Sequence, residues 1–299
     1  MYGLRLFLIV AFSISLFSCA HYSPRHANAI ADHRRNTLQQ ITEAFVRIQV
    51  VKTYRIYACL ETDTSQCRQI VEMSKATGFG SGGIIGHSGS SSMVLTATHV
   101  VDEFGTPPST ELHDVIGFLR EFARAYGMSQ NELIYRLKVN HLKIAGVATS
   151  VIAVASDGNS YEIIGTNCLP VEENDVCMLT TRTRIPGVEP LTIATRSPEV
   201  GDVAFIASGP FGYAIPGMMV PLFEGIFSGS TPDNREYYTL QVTPGSSGSL
   251  IVNRHGEVTG IVSMFITGSF CPGELGCQVL PSGIAVSVPH RAIKGFLSE

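Results

Sequence analysis

Residues 244–249 read PGSSGS and are followed directly by the apolar run LIV at residues 250–252. A tight turn with glycines around a serine, placed just before a buried strand, presents one hydroxyl at a rigid and exposed point. Glycine- and serine-rich turns are common, so this turn alone is weak evidence for a site.

Two upstream segments make the turn more informative. A histidine, His99, ends the apolar run VLTATHVV (Val94–Val101), and an aspartate, Asp175, opens the run DVCML (Asp175–Leu179). With Ser247 in the turn, the chain order is His, Asp, Ser, each at the end of a β-segment. This is one of the chain orders in which Ser-His-Asp hydrolases carry their three catalytic residues.

The composition indicates a globular protein rich in short strands and turns. The chain has 299 residues, of which 44% are apolar and 15% charged, with 29 glycines. This length allows one large or two modest hydrophobic cores. The net charge is −4, and no basic stretch alternates with aromatic residues, so nucleic-acid binding is not expected. We expect no cofactor.

The N-terminus predicts export. Residues 1–18 carry one charge, Arg5, before an apolar run that ends in small and polar residues, as in a secretory signal peptide. Residues 16–19 (LFSC) are similar to a lipobox, although Phe17 is bulkier than that pattern has, so Cys19 is a candidate for lipidation. We expect a periplasmic protein or a membrane-anchored lipoprotein. A secreted protein and an uncleaved anchor are the alternatives.

Six further cysteines form three pairs that are close in sequence. In an exported chain an even number of cysteines predicts disulfides, and six allow 15 connectivities. We expect the local pairs Cys59–Cys67, Cys168–Cys177 and Cys271–Cys277. A zinc site is the competing interpretation, but the chain has no CxxC pair and no suitably spaced histidine, so we expect no metal.

The spacing of short β-branched runs predicts an all-β protein in two halves. Residues 19–36 are polar and are interpreted as a tether, and Thr37–Phe45 has the apolar spacing of a short helix. The first β-rich half covers residues 37–185, with runs that become short and separated from Ile56 on. The second half covers residues 186–299 and ends in a short helix over Pro289–Leu297.

One stretch of the first half, residues 111–142, has helical periodicity instead. Its second helix begins at Ser129, whose hydroxyl can cap the helix while Glu132 reaches back, as in a capping box. We expect a helical insertion that packs one apolar face on the barrel. A lid over the active site is the alternative.

Five stretches of the chain carry motifs in a fixed order: GFGSGGIIG (Gly78–Gly86), VLTATHVV (Val94–Val101), DGNSYEIIG with NDVCML (Asp157–Gly165, Asn174–Leu179), GDVAFIASGPFG with FEGIFSG (Gly201–Gly212, Phe223–Gly229), and LQVTPGSSGSLIVNRHGEVTGIVS (Leu240–Ser263). Together they resemble the trypsin-like serine proteases, in particular the HtrA-type (high-temperature-requirement) catalytic domain. Relatives of that type usually carry a PDZ domain after the protease domain. We expect none here, because the chain ends too soon after the second half.

The resemblance implies two six-stranded antiparallel barrels of the chymotrypsin type, with the active site in the cleft between them. It assigns His99, Asp175 and Ser247 to a catalytic triad that hydrolyses peptide bonds through an acyl-enzyme. The amides of Gly245 and Ser247 would form the oxyanion hole. Asp102 lies too close to His99 in sequence to serve as the carboxylate, and Asp157 lies in a turn.

The same resemblance implies a primary substrate pocket with Gln241 at its base, Ser263 and Phe265 on its edge strand, and Gly283 on its far wall. No carboxylate stands at these positions, so we expect cleavage after small or medium aliphatic residues. Protein or peptide substrates are the expected partners, and the sequence leaves the oligomeric state open.

Two positions of the serine turn depart from the family pattern. Ser246 replaces an Asp or Asn, so activation by a newly cut N-terminus is not expected, and Ser249 replaces a glycine. Ser249 and the helical insertion motivate the alternative function, a catalytically weak protease fold used as a binding module. A structural β-rich lipoprotein with coincidental motifs is the third interpretation.

Overall fold

The computed structural model of the protein describes residues 24–60, 63–139, 141–210, 220–232, 234–270 and 278–298. The expected signal peptide, Cys19 and the expected Cys271–Cys277 pair lie outside these ranges. Within them, no helix combines the length and the apolar character that a membrane crossing requires.

The first barrel consists of six antiparallel strands that close on themselves in the order β1-β2-β3-β6-β5-β4. Alternating side chains point inward, so that Ile48, Val94 and Leu179 have no exposed surface. The strands are β1 (Phe45–Leu60), β2 (Asp63–Ser88), β3 (Ser91–Thr96), β4 (Leu142–Ala155), β5 (Ser160–Cys168) and β6 (Cys177–Thr181).

The second barrel closes in the order β11-β8-β9-β10-β13-β12, with β11 pairing back to β12 and the short β7 added in parallel to β12. Tyr238, Leu240 and Ile251 fill its interior. The strands are β7 (Thr192–Ile193), β8 (Val203–Ala207), β9 (Leu222–Ser230), β10 (Glu236–Tyr238), β11 (Leu250–Asn253), β12 (Glu257–Phe270) and β13 (Gln278–Pro289), followed by the helix α4 (His290–Phe296). The predicted two-barrel fold is therefore confirmed.

Three strands of the first barrel continue well beyond it as an extension, formed by residues 51–60 of β1, 63–76 of β2 and 142–150 of β4. β1 stays paired with β2 as far as Leu60 opposite Asp63, and Cys59 and Cys67, which face each other near this end, form a disulfide. On its other side β1 pairs with β4 as far as Ala58 opposite Leu142. The expectation of short, separated runs from Ile56 on was wrong here. The segment contains many polar residues because much of the extension is exposed to solvent.

The helical insertion packs on this extension. It consists of α2 (Leu112–Ala125) and α3 (Gln130–Lys138), and Leu142 already belongs to β4. The two helices and the extension share a separate buried cluster: Tyr54, Ile56, Val115, Phe118, Leu119, Phe122, Ala123, Leu133 and Leu142. Ser129 caps α3 by accepting a hydrogen bond from the Glu132 amide, as predicted, whereas the Glu132 carboxylate pairs with Arg136 instead of reaching back.

The N-terminal helix α1 (Pro24–Ala44) is longer than expected, since the segment interpreted as a tether over residues 19–36 is helical from Pro24 on. Ile41 and Ala44 on its inner side belong to the main core. Arg34 pairs with Glu224 of the second barrel and lies over the Phe205 ring. These contacts stabilise a polar helix that has little apolar surface of its own.

Candidate active site

His99 lies in a one-turn 3₁₀ helix, Thr98–Val100, that follows β3 directly. The Thr98 hydroxyl donates a hydrogen bond to the Leu169 carbonyl at 2.7 Å, and the Thr98 amide donates to the Asp175 carbonyl at 3.3 Å. The end of a buried strand and these two bonds fix the backbone, while about a third of the His99 side chain is exposed. The imidazole is therefore both positioned and accessible.

Asp175 is presented by a tight turn between β5 and β6. The amides of Glu173, Asn174 and Asp175 all point to the Pro170 carbonyl, at 3.1 to 3.3 Å. The disulfide Cys168–Cys177 joins the two strands at the base of this turn, as predicted. Asp175 itself has φ of +50°, a left-handed conformation that is uncommon for residues other than glycine and that clusters at functional sites.

The turn brings the Asp175 carboxylate against His99. His99 Nδ1 lies 2.9 Å from Asp175 Oδ2 and 3.1 Å from Oδ1, and the His99 amide donates to Oδ1 at 3.0 Å. The hydroxyl of Ser263 donates a short hydrogen bond to Oδ2. Burial alone would raise the pKa of Asp175, but the bonds from His99 and Ser263 outweigh it and lower that pKa below its usual range.

The loop that carries Ser247 can accept only glycine at two places. Gly245 and Gly248 have φ of +94° and +84°. A Cβ at Gly248 would overlap the Ser81 carbonyl and the Thr96 hydroxyl, so the loop packs directly on β2 and β3 of the first barrel. The Ser81 amide donates to the Ser247 carbonyl at 2.7 Å. The glycine at position 248 therefore reflects contact between the two barrels, and the glycine at position 245 reflects its positive φ.

The amides of this loop fall into two groups. Those of Ser246, Gly248 and Ser249 donate to the carbonyls of Thr243, Val262 and Ser246, at 2.7 to 3.0 Å. For the amides of Gly245 and Ser247, the described ranges contain no hydrogen-bond acceptor. The Ser247 hydroxyl likewise has no hydrogen-bond partner in these ranges, so it is not hydrogen-bonded to His99.

The neighbouring serines are both buried. Ser246 is 1% exposed, and its hydroxyl accepts hydrogen bonds from the Ser208 hydroxyl at 2.7 Å and the Thr243 amide at 3.1 Å. Ser249 has no exposed surface, and its hydroxyl has no partner among the described residues. Ser247 is half-buried and is the most accessible of the three hydroxyls. Since Ser249 is enclosed, its side chain does not stand in the open cleft.

The four residues expected to form the primary substrate pocket differ from one another in exposure and in contacts. Gln241 is exposed, and Gly283 lies on β13 with φ of +77°. Phe265 pairs with Ala285 across β12 and β13 and packs against the core of the second barrel. The Ser263 hydroxyl binds Asp175, a role that the sequence did not indicate.

The carboxylates weighed against Asp175 lie elsewhere. Asp102 is exposed, and Asp157 is exposed in the β4–β5 turn, where it accepts a hydrogen bond from the Asn159 amide at 2.9 Å. Among the described residues, Asp175 is the carboxylate that contacts His99.

Comparison with known proteins agrees with the fold. A crystal structure of a serine endoprotease from Yersinia pestis superposes with a TM-score of 0.51 at 16% identity, covering 89% of this chain and 65% of the other. The match thus spans less than two thirds of the length of that chain. No curated protein matches the sequence. The family model for the trypsin-like peptidase domain matches residues 80–261, more than half of the chain. The protein therefore belongs to the family of trypsin-like serine peptidases.

Proposed function

We propose that the protein is a serine endopeptidase in which Ser247 attacks the peptide carbonyl and forms an acyl-enzyme. A serine hydroxyl is a poor nucleophile at neutral pH, so a base must take its proton during the attack. His99 is that base, since an imidazole held within reach can accept the proton during the attack and return it later. The contact of 2.9 Å between His99 Nδ1 and Asp175 is the observation that carries the proposal.

In this proposal Asp175 orients the imidazole and stabilises the imidazolium that forms. The hydrogen bond at Nδ1 leaves Nε2 as the nitrogen that takes the Ser247 proton. The lowered pKa of Asp175 supports this role, because the carboxylate then stays charged throughout the neutral range. Ser263 is a positioning residue that holds Oδ2 of the carboxylate.

The amides of Gly245 and Ser247 form the oxyanion hole. They are the loop amides without a hydrogen-bond acceptor in the described part of the chain. A buried or half-buried amide needs an acceptor, and the oxyanion of the tetrahedral intermediate supplies one. Removing one such donor typically slows hydrolysis by about 100- to 1000-fold.

In this proposal the primary pocket is lined by Gln241, Ser263, Phe265 and Gly283. The enzyme cleaves after small or medium aliphatic residues. None of these side chains carries a negative charge that would attract Arg or Lys.

The substrates are proteins or peptides in the cell envelope. Two disulfides support export, since disulfides persist in oxidising compartments. We propose removal of residues 1–18 and acylation of Cys19, which would hold the enzyme at the membrane.

Hydrolysis of an unfolded protein tests this function. Casein should be degraded by the wild type, and Ser247→Ala should lower the rate more than about 1000-fold with the fold intact. Ser246→Ala is the matched control: it should stay active and lose about 1–3 kcal/mol of stability, because the Ser208 hydroxyl and the Thr243 amide lose their acceptor.

Two outcomes would contradict the proposal. If the wild type is no faster than Ser247→Ala, the fold serves as a binding module. If Ser246→Ala is inactive and Ser247→Ala is active, the nucleophile is Ser246 and not Ser247.

A further inference from the structure

Ser81 is a fully buried polar residue of the first barrel that contacts the nucleophile loop of the second. It lies in β2 opposite Arg47 of β1 and has no exposed surface. Its amide donates to the Ser247 carbonyl at 2.7 Å, and its carbonyl accepts a hydrogen bond from the Thr96 hydroxyl at 2.7 Å. The backbone of Ser81 is therefore held firmly on both sides.

The hydroxyl of Ser81 has two further partners. It lies 2.8 Å from the Gly245 carbonyl and 3.2 Å from the Gly209 amide. An amide can only donate and a carbonyl can only accept, so the direction of both bonds is fixed. The hydroxyl accepts from Gly209 and donates to Gly245.

Gly245 needs such a partner because its own backbone is permissive. Its φ of +94° lies in a region where glycine is hardly restrained by sterics. The peptide between Gly245 and Ser246 is held at its amide end by the Thr243 carbonyl at 2.9 Å. At its carbonyl end, the Ser81 hydroxyl is the side-chain donor that the described residues supply.

The next peptide, between Ser246 and Ser247, is also held at its carbonyl. The Ser246 carbonyl accepts a hydrogen bond from the Ser249 amide at 3.0 Å. In a trans peptide the N–H points away from the C=O. Anchoring the Ser246 carbonyl therefore directs the Ser247 amide, which belongs to the same peptide. The Gly245–Ser246 peptide, held by Ser81, lies between the two peptides that carry the unpaired amides and so restrains both.

We infer that Ser81 is a positioning residue of the oxyanion hole: its hydroxyl fixes the Gly245–Ser246 peptide, and this keeps the neighbouring amides of Gly245 and Ser247 oriented toward the oxyanion. This inference rests on the proposed peptidase function. It makes the first barrel responsible for the shape of the loop that carries the nucleophile in the second. No charged group takes part, so this contact is independent of pH and of any N-terminal cleavage.

Substitution of Ser81 tests the inference through the split between kcat and KM on a peptide p-nitroanilide. Ser81→Ala should lower kcat about 10- to 100-fold, since a misplacement of about 1 Å in a catalytic group has effects of this size. KM should change less than about threefold, because ground-state binding does not use the oxyanion hole. Ser81→Cys keeps an unbranched side chain with one terminal heteroatom but has only a weak donor, so it should resemble Ser81→Ala.

The matched control is Ser249→Ala, which removes a buried and unpartnered hydroxyl from the same loop and should keep kcat within about twofold. The inference fails if the wild type is active and Ser81→Ala keeps its kcat, or if KM alone rises. It also fails if Ser81→Ala and Ser81→Cys both do not fold, because Ser81 would then stabilise the fold rather than the loop. An inactive wild type would instead contradict the peptidase function itself.

Discussion

The helical insertion should stabilise the protein without taking part in catalysis, and Phe122→Ala tests this. Phe122 has no exposed surface and belongs to the cluster shared by α2, α3 and the extension. That cluster has no buried member in common with the main core around His99 and Asp175. Truncating a buried Phe to Ala typically lowers the free energy of unfolding by about 3–5 kcal/mol.

This loss should appear as a Tm lowered by roughly 10 °C, since one kcal/mol shifts Tm by about 2–4 °C in proteins of this size. Thermal unfolding followed by circular dichroism measures it, and peptide hydrolysis at 25 °C should stay within about twofold of the wild type. Tyr126→Ala is the control: this ring lies 4.5 Å from that of Phe122 but is 46% exposed, and its loss should cost less than about 1 kcal/mol.

Two results would refute this reasoning. An unchanged Tm for Phe122→Ala would mean that the insertion is not packed on the extension. A folded variant with hydrolysis raised many-fold would mean that the insertion is an autoinhibitory lid, and replacing residues 111–142 by a Gly/Ser linker should then have the same effect.

Three further outcomes are expected. Ser263→Ala should lower kcat about 10- to 100-fold, because a hydrogen bond to a charged group contributes about 1.5–3 kcal/mol; an unchanged kcat would remove Ser263 from the positioning of Asp175. Burial raises the pKa of Glu236 from 4.5 to about 7. Between these pH values the folded state still binds the proton that the unfolded state has lost, so the free energy of unfolding of the wild type should decrease as the pH rises through this range. Glu236→Gln should therefore add up to about 3 kcal/mol in urea unfolding at pH 8 and almost nothing at pH 4; a gain equal at both pH values would contradict this. Thiol counting on the unreduced exported protein should find at most Cys19, and six reactive thiols would exclude the disulfides, including the expected Cys271–Cys277 pair.

Much of the site could be predicted because its residues occur at ends of strands with distinctive neighbours. Gly248 must be glycine to let the loop meet the first barrel, and the cysteines that flank Asp175 lie on adjacent strands. The contact of Ser263 with Asp175 could not be found in this way. It joins residues 88 positions apart, and a serine on a strand gives no signal about which hydroxyl will face a carboxylate.

The extension and the part of α1 before Thr37 are parts of the fold that could not be predicted from the sequence. The alternation of apolar and polar residues weakens in β1 and β2 beyond Ile56, because few of these side chains meet a core. In α1, the polar residues before Thr37 are helical because they continue a helix anchored by Ile41 and by the pair of Arg34 with Glu224. Such a partner on a distant strand has no local sequence signal.

Locating the adduct of an active-site organophosphonate tests the central claim most directly. The native protein, treated with excess reagent, digested and mapped by tandem mass spectrometry, should carry a single adduct on Ser247, and His99→Ala should carry none. An adduct on Ser246 or Ser249, or no adduct on the folded wild type, would contradict the assignment of Ser247 as a nucleophile activated by His99.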